Sequence, residues 1–393
     1  MNERFNAVLH LGDQYNFDLL DEFGNVCIAA GTQITEQVIE ELHALGAQKL
    51  YVGPTVAESD ELAGADLPAQ YSSSHQNYLA NLATDGADIM ASVTQRLHAG
   101  ERIDGNDIDF IVEGYQKIVT EDADVVLAQV LADAESSALP IRSLRMSAIS
   151  MVAAYKLGYP ADQRHQVGRA ALLHDVSLPD DWPSQLGELK RFSEGKVSAG
   201  GSLTIAEFER QLDAYQTHPF RSADTLRAGL PNVTDLELTI VRQVHEQCDG
   251  TGFPRRHRGH LLHRLSRLVN VVDAFLTLTD PLHPNGGYIA SDAIAYLVAH
   301  ALYGTFDRDC VQALVRSTAI YPVGSKVLLS DNSTGTVLRS CNDKYLQPIV
   351  RIDAPDGETL DLTRSDMQIV QPHSVGGRRI TKNRMHSALW RTV

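Results

Sequence analysis

The period of the apolar positions changes twice along this chain. In the first stretch, YNFDLLDEFGNVCIAAG holds two short strand-like runs separated by EFGN, a turn sequence. Thr35 then stands where it can cap a helix whose apolar face is Val38, Ile39, Leu42 and Leu45, with Gly46 as its stop. LYV at 50–52 predicts a further strand. From about residue 76 to 318 the apolar residues recur every three or four positions, as in SVTQRLHAG, IDFIVEGYQKIV and ADVVLAQVLADA, and helices are expected throughout. After Pro322 the runs shorten. KVLLS, GTVLR, PIVRI, ETLDL and MQIV are strand candidates separated by DNSTG and APDG turns, the pattern of a small antiparallel sheet or barrel.

The expected fold is therefore mainly α, a helical bundle flanked by a small N-terminal α+β unit and a small C-terminal antiparallel β domain. The predicted boundaries are an α+β unit at 1–55, a linker rich in Pro, Ser, Gly and acids at 56–75, the helical domain at 76–318, the β domain at 319–372 and a basic tail at 373–393.

Charge narrows the partners. The net charge is −16, and before residue 100 the only basic residues are Arg4, Lys49 and Arg96. Such a surface repels a nucleic-acid backbone, so nucleic acid is not an expected partner. The tail GGRRITKNRMHSALWRTV reverses the sign with Arg378, Arg379, Lys382, Arg384 and Arg391 and no acid. It is either a solvated terminus or a segment that docks on an acidic partner or on the protein's own acidic face. No run of about eighteen apolar residues predicts a membrane span. The four cysteines form no CxxC pair and read as free thiols of a cytoplasmic protein.

Chemistry concentrates in the helical region. AALLHD delivers His174 and Asp175 side by side at the end of an apolar run, a pairing that suits a divalent cation. YQTHPF places His218 on a helix, VRQVHEQCDGTGFP supplies His245 followed by a Gly-rich turn, and RLVNVVDAF embeds Asp273 in an apolar helix. A carboxylate in such a place needs a metal or a salt bridge to offset its desolvation. Each histidine alone reads equally well as an ordinary helix residue, and the weight comes from the set. His257, His260 and His263 in HRGHLLH read as a polar loop rather than as ligands.

These four motifs, LLHD, THP, HEQCDGTGFP and VVDAF, occur in the order found in the HD-GYP family of HD phosphohydrolases, which residues 140 to 318 resemble. The DLLDEFGNVCIAAGTQIT and YPVGSKVLLSDNSTGTVL segments also resemble modules that flank the domain in some members. The resemblance implies a helical bundle, hydrolysis of cyclic di-GMP and a two-metal centre of iron or a similar transition metal. His174, Asp175, His218, His245 and Asp273 match metal-binding positions, with Asp175 as the bridging ligand.

Other family positions are substituted. A gapless placement puts Arg142 where the first metal histidine belongs and Ala138 where some members carry a glutamate. Val244 replaces the first His of the HHE motif. Ser177 and Leu178 replace the Gly and Lys of HDxGK, and Phe253 replaces the GYP tyrosine. TDPLHPNGG follows Asp273 where the family has basic, phosphate-gripping residues. An arginine cannot ligate a metal. Arg142 either neutralises Asp175 or Asp273 in the cation's place or points to solvent.

The expected centre holds no metal or a single transition metal such as Fe or Mn, and the chain is expected to act by binding cyclic di-GMP or a signalling protein. The alternative is an active phosphodiesterase, with the two-metal centre kept or reduced. The loop Asp249, Gly250, Gly252, Phe253 and Pro254 is retained, and the resemblance implicates it in contact with GGDEF domains. Between Asp175 and His218, residues 179–203 read as a surface insertion in which Trp182 could cover the cleft or anchor a partner.

Overall fold

The computed structural model describes residues 12, 14, 18–21, 26–29, 31–45, 50–52, 71–132, 138–179, 182, 185, 189, 204–283, 287–341, 344–373, 377–381 and 384–385. In the N-terminal unit, β1 (Leu19–Leu20), β2 (Val26–Ile28) and β3 (Tyr51–Val52) form an antiparallel sheet in the order β2-β1-β3. The helix α1 (Glu36–Leu45) starts at the predicted cap, with the Val38 amide donating to Thr35 Oγ1 at 3.3 Å. Leu19, Ile28, Ile34 and Leu42 make its small core. EFGN, Gly46 and most of the expected linker lie outside the described residues.

The helical domain begins at Ser73, slightly earlier than the periodicity suggested, with α2 (Ser73–His98), α3 (Asn106–Glu121), α4 (Ala123–Ala132), α5 (Leu139–Lys156) and α6 (Ala161–Leu173). It continues with α7 (Ile205–Gly229), α8 (Asp235–Gln243), α9 (Arg264–Thr279), α10 (Ala290–Leu302) and α11 (Arg308–Thr318). The centre of the bundle is α5. From Ser143 to Ala154 every residue is buried, the mark of a helix surrounded by others. It packs against α2, α3, α4, α6, α9 and α11. Capping boxes fix the starts of α7 (Thr204 with Glu207) and α8 (Thr234 with Glu237), where each threonine hydroxyl accepts the N3 amide and each glutamate accepts the cap amide.

The C-terminal strands fall on the five predicted runs: β4 (Lys326–Leu329), β5 (Thr334–Arg339), β6 (Ile349–Ile352), β7 (Thr359–Asp361) and β8 (Ile369–Pro372). They form one antiparallel sheet in the order β7-β6-β5-β4-β8 over a core of Val327, Leu329, Val337, Val350 and Leu362. The sheet is fastened to the bundle by Arg339 at the end of β5, which is 2% exposed. Its guanidinium donates to both oxygens of Asp122 at 2.9 and 2.8 Å and lies 4.6 Å from the centroid of the Tyr71 ring. Ser340 donates to Asp124 at 2.7 Å, and the Tyr71 hydroxyl donates to the Leu338 carbonyl.

The described part of the basic tail docks on the bundle. Arg379 pairs with Asp292 of α10 at 2.9 Å, the Ile380 amide donates to the same carboxylate at 2.7 Å, and Ile380 itself is buried.

Removing Arg339 would leave Asp122 and Asp124 buried without their cation. Arg339→Ala should therefore lower the unfolding free energy by about 3–5 kcal/mol in urea titrations, whereas Arg339→Met with Asp122→Leu should cost far less.

Candidate metal centre

Helix ends and one helix middle bring the site together. His174 is the C-cap of α6, whose last two turns are buried from Val167 to Leu173, so the His174–Asp175 doublet leaves the helix already inside the bundle. His218 sits inside α7 immediately before Pro219, His245 follows the end of α8, and Asp273 projects from the middle of α9. Arg142 comes from the first turn of α5.

All five predicted ligand positions converge. Asp175 Oδ2 lies 3.0 Å from His174 Nε2, and its Oδ1 lies 3.0 Å from His218 Nε2 and 3.7 Å from His245 Nε2. His245 Nδ1 lies 3.3 Å from Asp273 Oδ2. Ligand atoms of His174, Asp175 and His245 fall within 4.8 Å of one another, a cluster of the kind that holds a metal ion.

The outer ring nitrogens fix the tautomers. His174 Nδ1 donates to the Ala171 carbonyl at 2.8 Å and His218 Nδ1 to the Tyr215 carbonyl at 2.6 Å. Each Nε2 lone pair is thereby turned into the centre, the orientation a metal-binding imidazole needs. His174 Nε2 and Asp175 Oδ1 are buried and make no hydrogen bond of good geometry. Such atoms are costly to leave unsatisfied, and a cation would satisfy both.

The charges of the centre are balanced by the protein's own groups. Burial lowers the His218 pKa and keeps that ring neutral, against the pull of Asp175. His245 moves the other way. Burial opposes its charge, but the neighbouring carboxylates of Asp175 and Asp273 outweigh it and push its pKa up to about 9. As an imidazolium it can donate Nε2–H to His218 Nε2, 3.1 Å away, and Nδ1–H to Asp273. Asp175 is held well below the carboxylate range: burial would raise it, but His174, His218 and His245 prevail. Asp273 is lowered too, because His245 and Arg142 overcome its burial.

Arg142 turns inward. Its Nη2 donates to Asp273 Oδ1 at 2.6 Å and to Thr277 Oγ1 at 2.9 Å, and Nη1 lies 4.0 Å from Asp280 Oδ2. Burial disfavours the guanidinium charge, yet Asp273, Asp280 and Asp175 more than compensate and raise its pKa. Of the two alternatives left open for this residue, neutralisation of Asp273 is the one observed. Val244, in place of an imidazole, is fully buried in the main core, and its carbonyl accepts the Asn270 amide at 2.7 Å. Ala138 caps α5 without a side-chain ligand.

The remaining substitutions also have structural roles. Ser177 bonds to Ser222 Oγ at 2.9 Å and to the His218 carbonyl at 3.2 Å, tying the turn after Asp175 to α7. Leu178 joins Leu139, Trp182 and Leu189 in a small apolar cluster with Phe208 and Tyr215. Trp182 stacks on Tyr215 at 4.9 Å, and Tyr215 stacks on His218 at 5.2 Å. Trp182 therefore covers this flank of the site. Most of 179–203 lies outside the described residues.

In the Asp249–Pro254 loop, Gly250 takes φ +77°, which disfavours a side chain, and a Cβ at Gly252 would collide with the backbone of His245 and Gln247. Phe253 stacks on His245 at 4.9 Å, and Pro254 follows it on the same turn. Glu246 accepts the amides of Arg255 and His257 at 2.7 and 3.0 Å. Of HRGHLLH, His263 caps α9 by accepting the Leu265 amide, and His257, His260 and His263 take no part in the cluster around Asp175.

Sequence reasoning missed Thr277, Asp280 and Tyr215. Thr277 and Asp280 lie four and seven residues beyond Asp273 and share its helical face, a spacing that offered the missing clue.

A His-Asp doublet at a helix end, facing further histidines inside an all-helical bundle, is the arrangement expected of the HD class. Residues 126–310 match the family model for the HD domain, just under half of the chain. Similarity then extends to particular phosphodiesterases. The chain is 25% identical over 266 residues to the cyclic di-GMP phosphodiesterase PA4108 of Pseudomonas aeruginosa, covering 67% of this chain and 59% of that protein. It is 26% identical over 178 residues to the cyclic di-GMP phosphodiesterase response regulator RpfG of Xanthomonas campestris, covering 44% of this chain and 42% of the relative. It is also 26% identical over 192 residues to the 3'3'-cGAMP-specific phosphodiesterase 3 of Vibrio cholerae, covering 49% and 38%. The chain thus spans between 38 and 59% of the length of these relatives. Among the described residues no helix is long and apolar enough to cross a membrane.

The His245 shift carries a pH signature. Its folded pKa of about 9 lies above the ordinary 6.5, so its stabilisation is complete below pH 6.5 and is lost as pH rises through 9. The lowered Asp175 and Asp273 act oppositely and lose theirs as pH falls below the ordinary 3.8. Urea unfolding in the presence of a chelator should show stability falling by up to roughly 3 kcal/mol between pH 6.5 and 9.5. His245→Gln should flatten that decline, and an unchanged slope in this variant would refute the assignment.

Proposed function

We propose that this chain is a catalytically impaired relative of the cyclic di-GMP phosphodiesterases that acts by binding the dinucleotide or a signalling protein. The observation that supports this reading is the 2.6 Å contact between Arg142 and Asp273. A guanidinium fills the position of a metal-binding imidazole and neutralises a carboxylate that would otherwise bind metal. With Val244 in the neighbouring position, two ligands of a paired centre are lost.

His174, Asp175, His218 and His245 fit one transition metal, iron or manganese, and leave Asp273 to Arg142. Such an ion supplies Lewis acidity and lowers the pKa of bound water. The chain's own residues do less than catalysis requires. Asp175 and the three imidazoles bind and orient, and Tyr215, Phe253 and Trp182 exclude water. Close to Asp273, Arg142 is engaged with carboxylates and is not free to stabilise charge developing on a phosphate. The unsatisfied His174 Nε2 and Asp175 Oδ1 favour a second reading, a slow phosphodiesterase with this reduced centre.

Two measurements separate these readings. After loading with Fe(II) or Mn(II), elemental analysis should find at most one ion per chain, and cyclic di-GMP should be bound without conversion to the linear dinucleotide. About two ions with turnover would overturn the proposal, and one ion with turnover would establish the second reading. Arg142→His combined with Val244→His should raise the metal content toward two.

A further inference from the structure

The HD centre is sealed on one side and partly open on the other. His174 and His218 have side chains with no exposure, whereas Arg142, Asp273 and Asp280 retain 16, 14 and 12%. An anionic ligand approaching the open end meets two carboxylates and one guanidinium already engaged with them. The segment that follows, TDPLHPNGG, contributes no lysine or arginine. Taken alone, this entrance would repel a phosphodiester.

The basic tail changes that balance. Arg378 is bonded into the chain directly after this segment: its amide donates to the Gly287 carbonyl at 2.7 Å, and its carbonyl accepts the Ile289 amide at 3.0 Å. Its guanidinium lies 5.0 Å from the centroid of the Tyr288 ring, which is buried. Gly287, at φ +74°, brings the two stretches together. The point where its Cβ would lie is 3.4 Å from the Pro281 Cα and 3.6 Å from the Arg378 Nε. Pro281 adjoins Asp280 in the chain, so the tail's cation lies beside the segment that leads away from the open end.

The two neighbouring arginines differ in their engagement. Arg379 pairs with Asp292. Arg378 is exposed and has no carboxylate within ion-pair distance among the described residues. The backbone bonds fix its position, and Ile380 and the Met385 carbonyl, which accepts from His300 at 3.0 Å, anchor the strand beyond it. A cation stacked on a buried ring and free of acidic partners is pre-organised to receive an anion.

We infer that Arg378 is a phosphate-binding residue of this chain's ligand site, supplied by the tail to an entrance that lacks a cation of its own. The inference rests on the binding reading above and names the group that grips the phosphodiester. A purely structural arginine would instead serve only to hold the tail against Tyr288.

Calorimetric titration of the full chain with cyclic di-GMP and with guanosine, at low and high salt, tests it. Arg378→Gln should weaken cyclic di-GMP about ten-fold, reduce the salt dependence of binding, and leave guanosine binding unchanged. Arg378→Lys should recover part of the affinity. Arg379→Gln, which loosens the tail but keeps the Arg378 charge, should have the smaller effect on salt dependence. If wild-type protein binds cyclic di-GMP and Arg378→Gln binds it equally well, the inference falls while the binding reading stands. Equal weakening of guanosine and cyclic di-GMP would likewise assign Arg378 a structural role and overturn the inference. Failure of the wild-type protein to bind cyclic di-GMP would remove both.

Discussion

Asp175 and Asp273 are ionised carboxylates inside a helical bundle, and the architecture of the centre follows from the need to compensate them. Three imidazoles surround Asp175, and His245 and Arg142 flank Asp273. An uncompensated carboxylate in this setting would take up a proton or open the bundle. A metal can compensate both groups, and so can a fixed guanidinium at one of them. Arg142 does the latter from the first turn of α5, the helix against which most of the bundle packs. Neutralising Asp273 thus makes the scaffold less dependent on a bound cation.

The same device recurs across the fold, with an arginine from a distant part of the chain closing on paired acids. Arg169 of α6 meets Asp109 and, at 2.6 Å, Glu237 of the α8 capping box. Arg339 fastens the β domain to Asp122, and Arg379 fastens the tail to Asp292. In a chain of net charge −16, cations are the scarce resource, and those that reach buried acids set how the pieces meet. The tail's sign reversal has its explanation here, because its described residues dock on an acid of α10.

Much of this was legible in the sequence. The helical and β regions and the five C-terminal strands follow from periodicity, and the grouping of His174, Asp175, His218, His245 and Asp273 was implied by the resemblance to the HD-GYP family. The inward turn of Arg142 was legible only as one of two alternatives, because a gapless placement locates a position in a motif and not the direction of a side chain. Thr277 and Asp280 were missed although they share a helix face with Asp273, since neither belongs to a motif. Tyr215 was missed for a different reason. Its part depends on stacking with Trp182, which is distant in sequence and lies in an insertion without periodicity.

The residues around the centre pack on one another. Leu178 packs with Leu139, Trp182 and Tyr215, an apolar cover beside the histidines. Ser177, in place of glycine, ties the same turn to Ser222 of α7. Val244 completes the main core. These contacts are the physical reason to read the surroundings of the centre as held by the protein's own side chains.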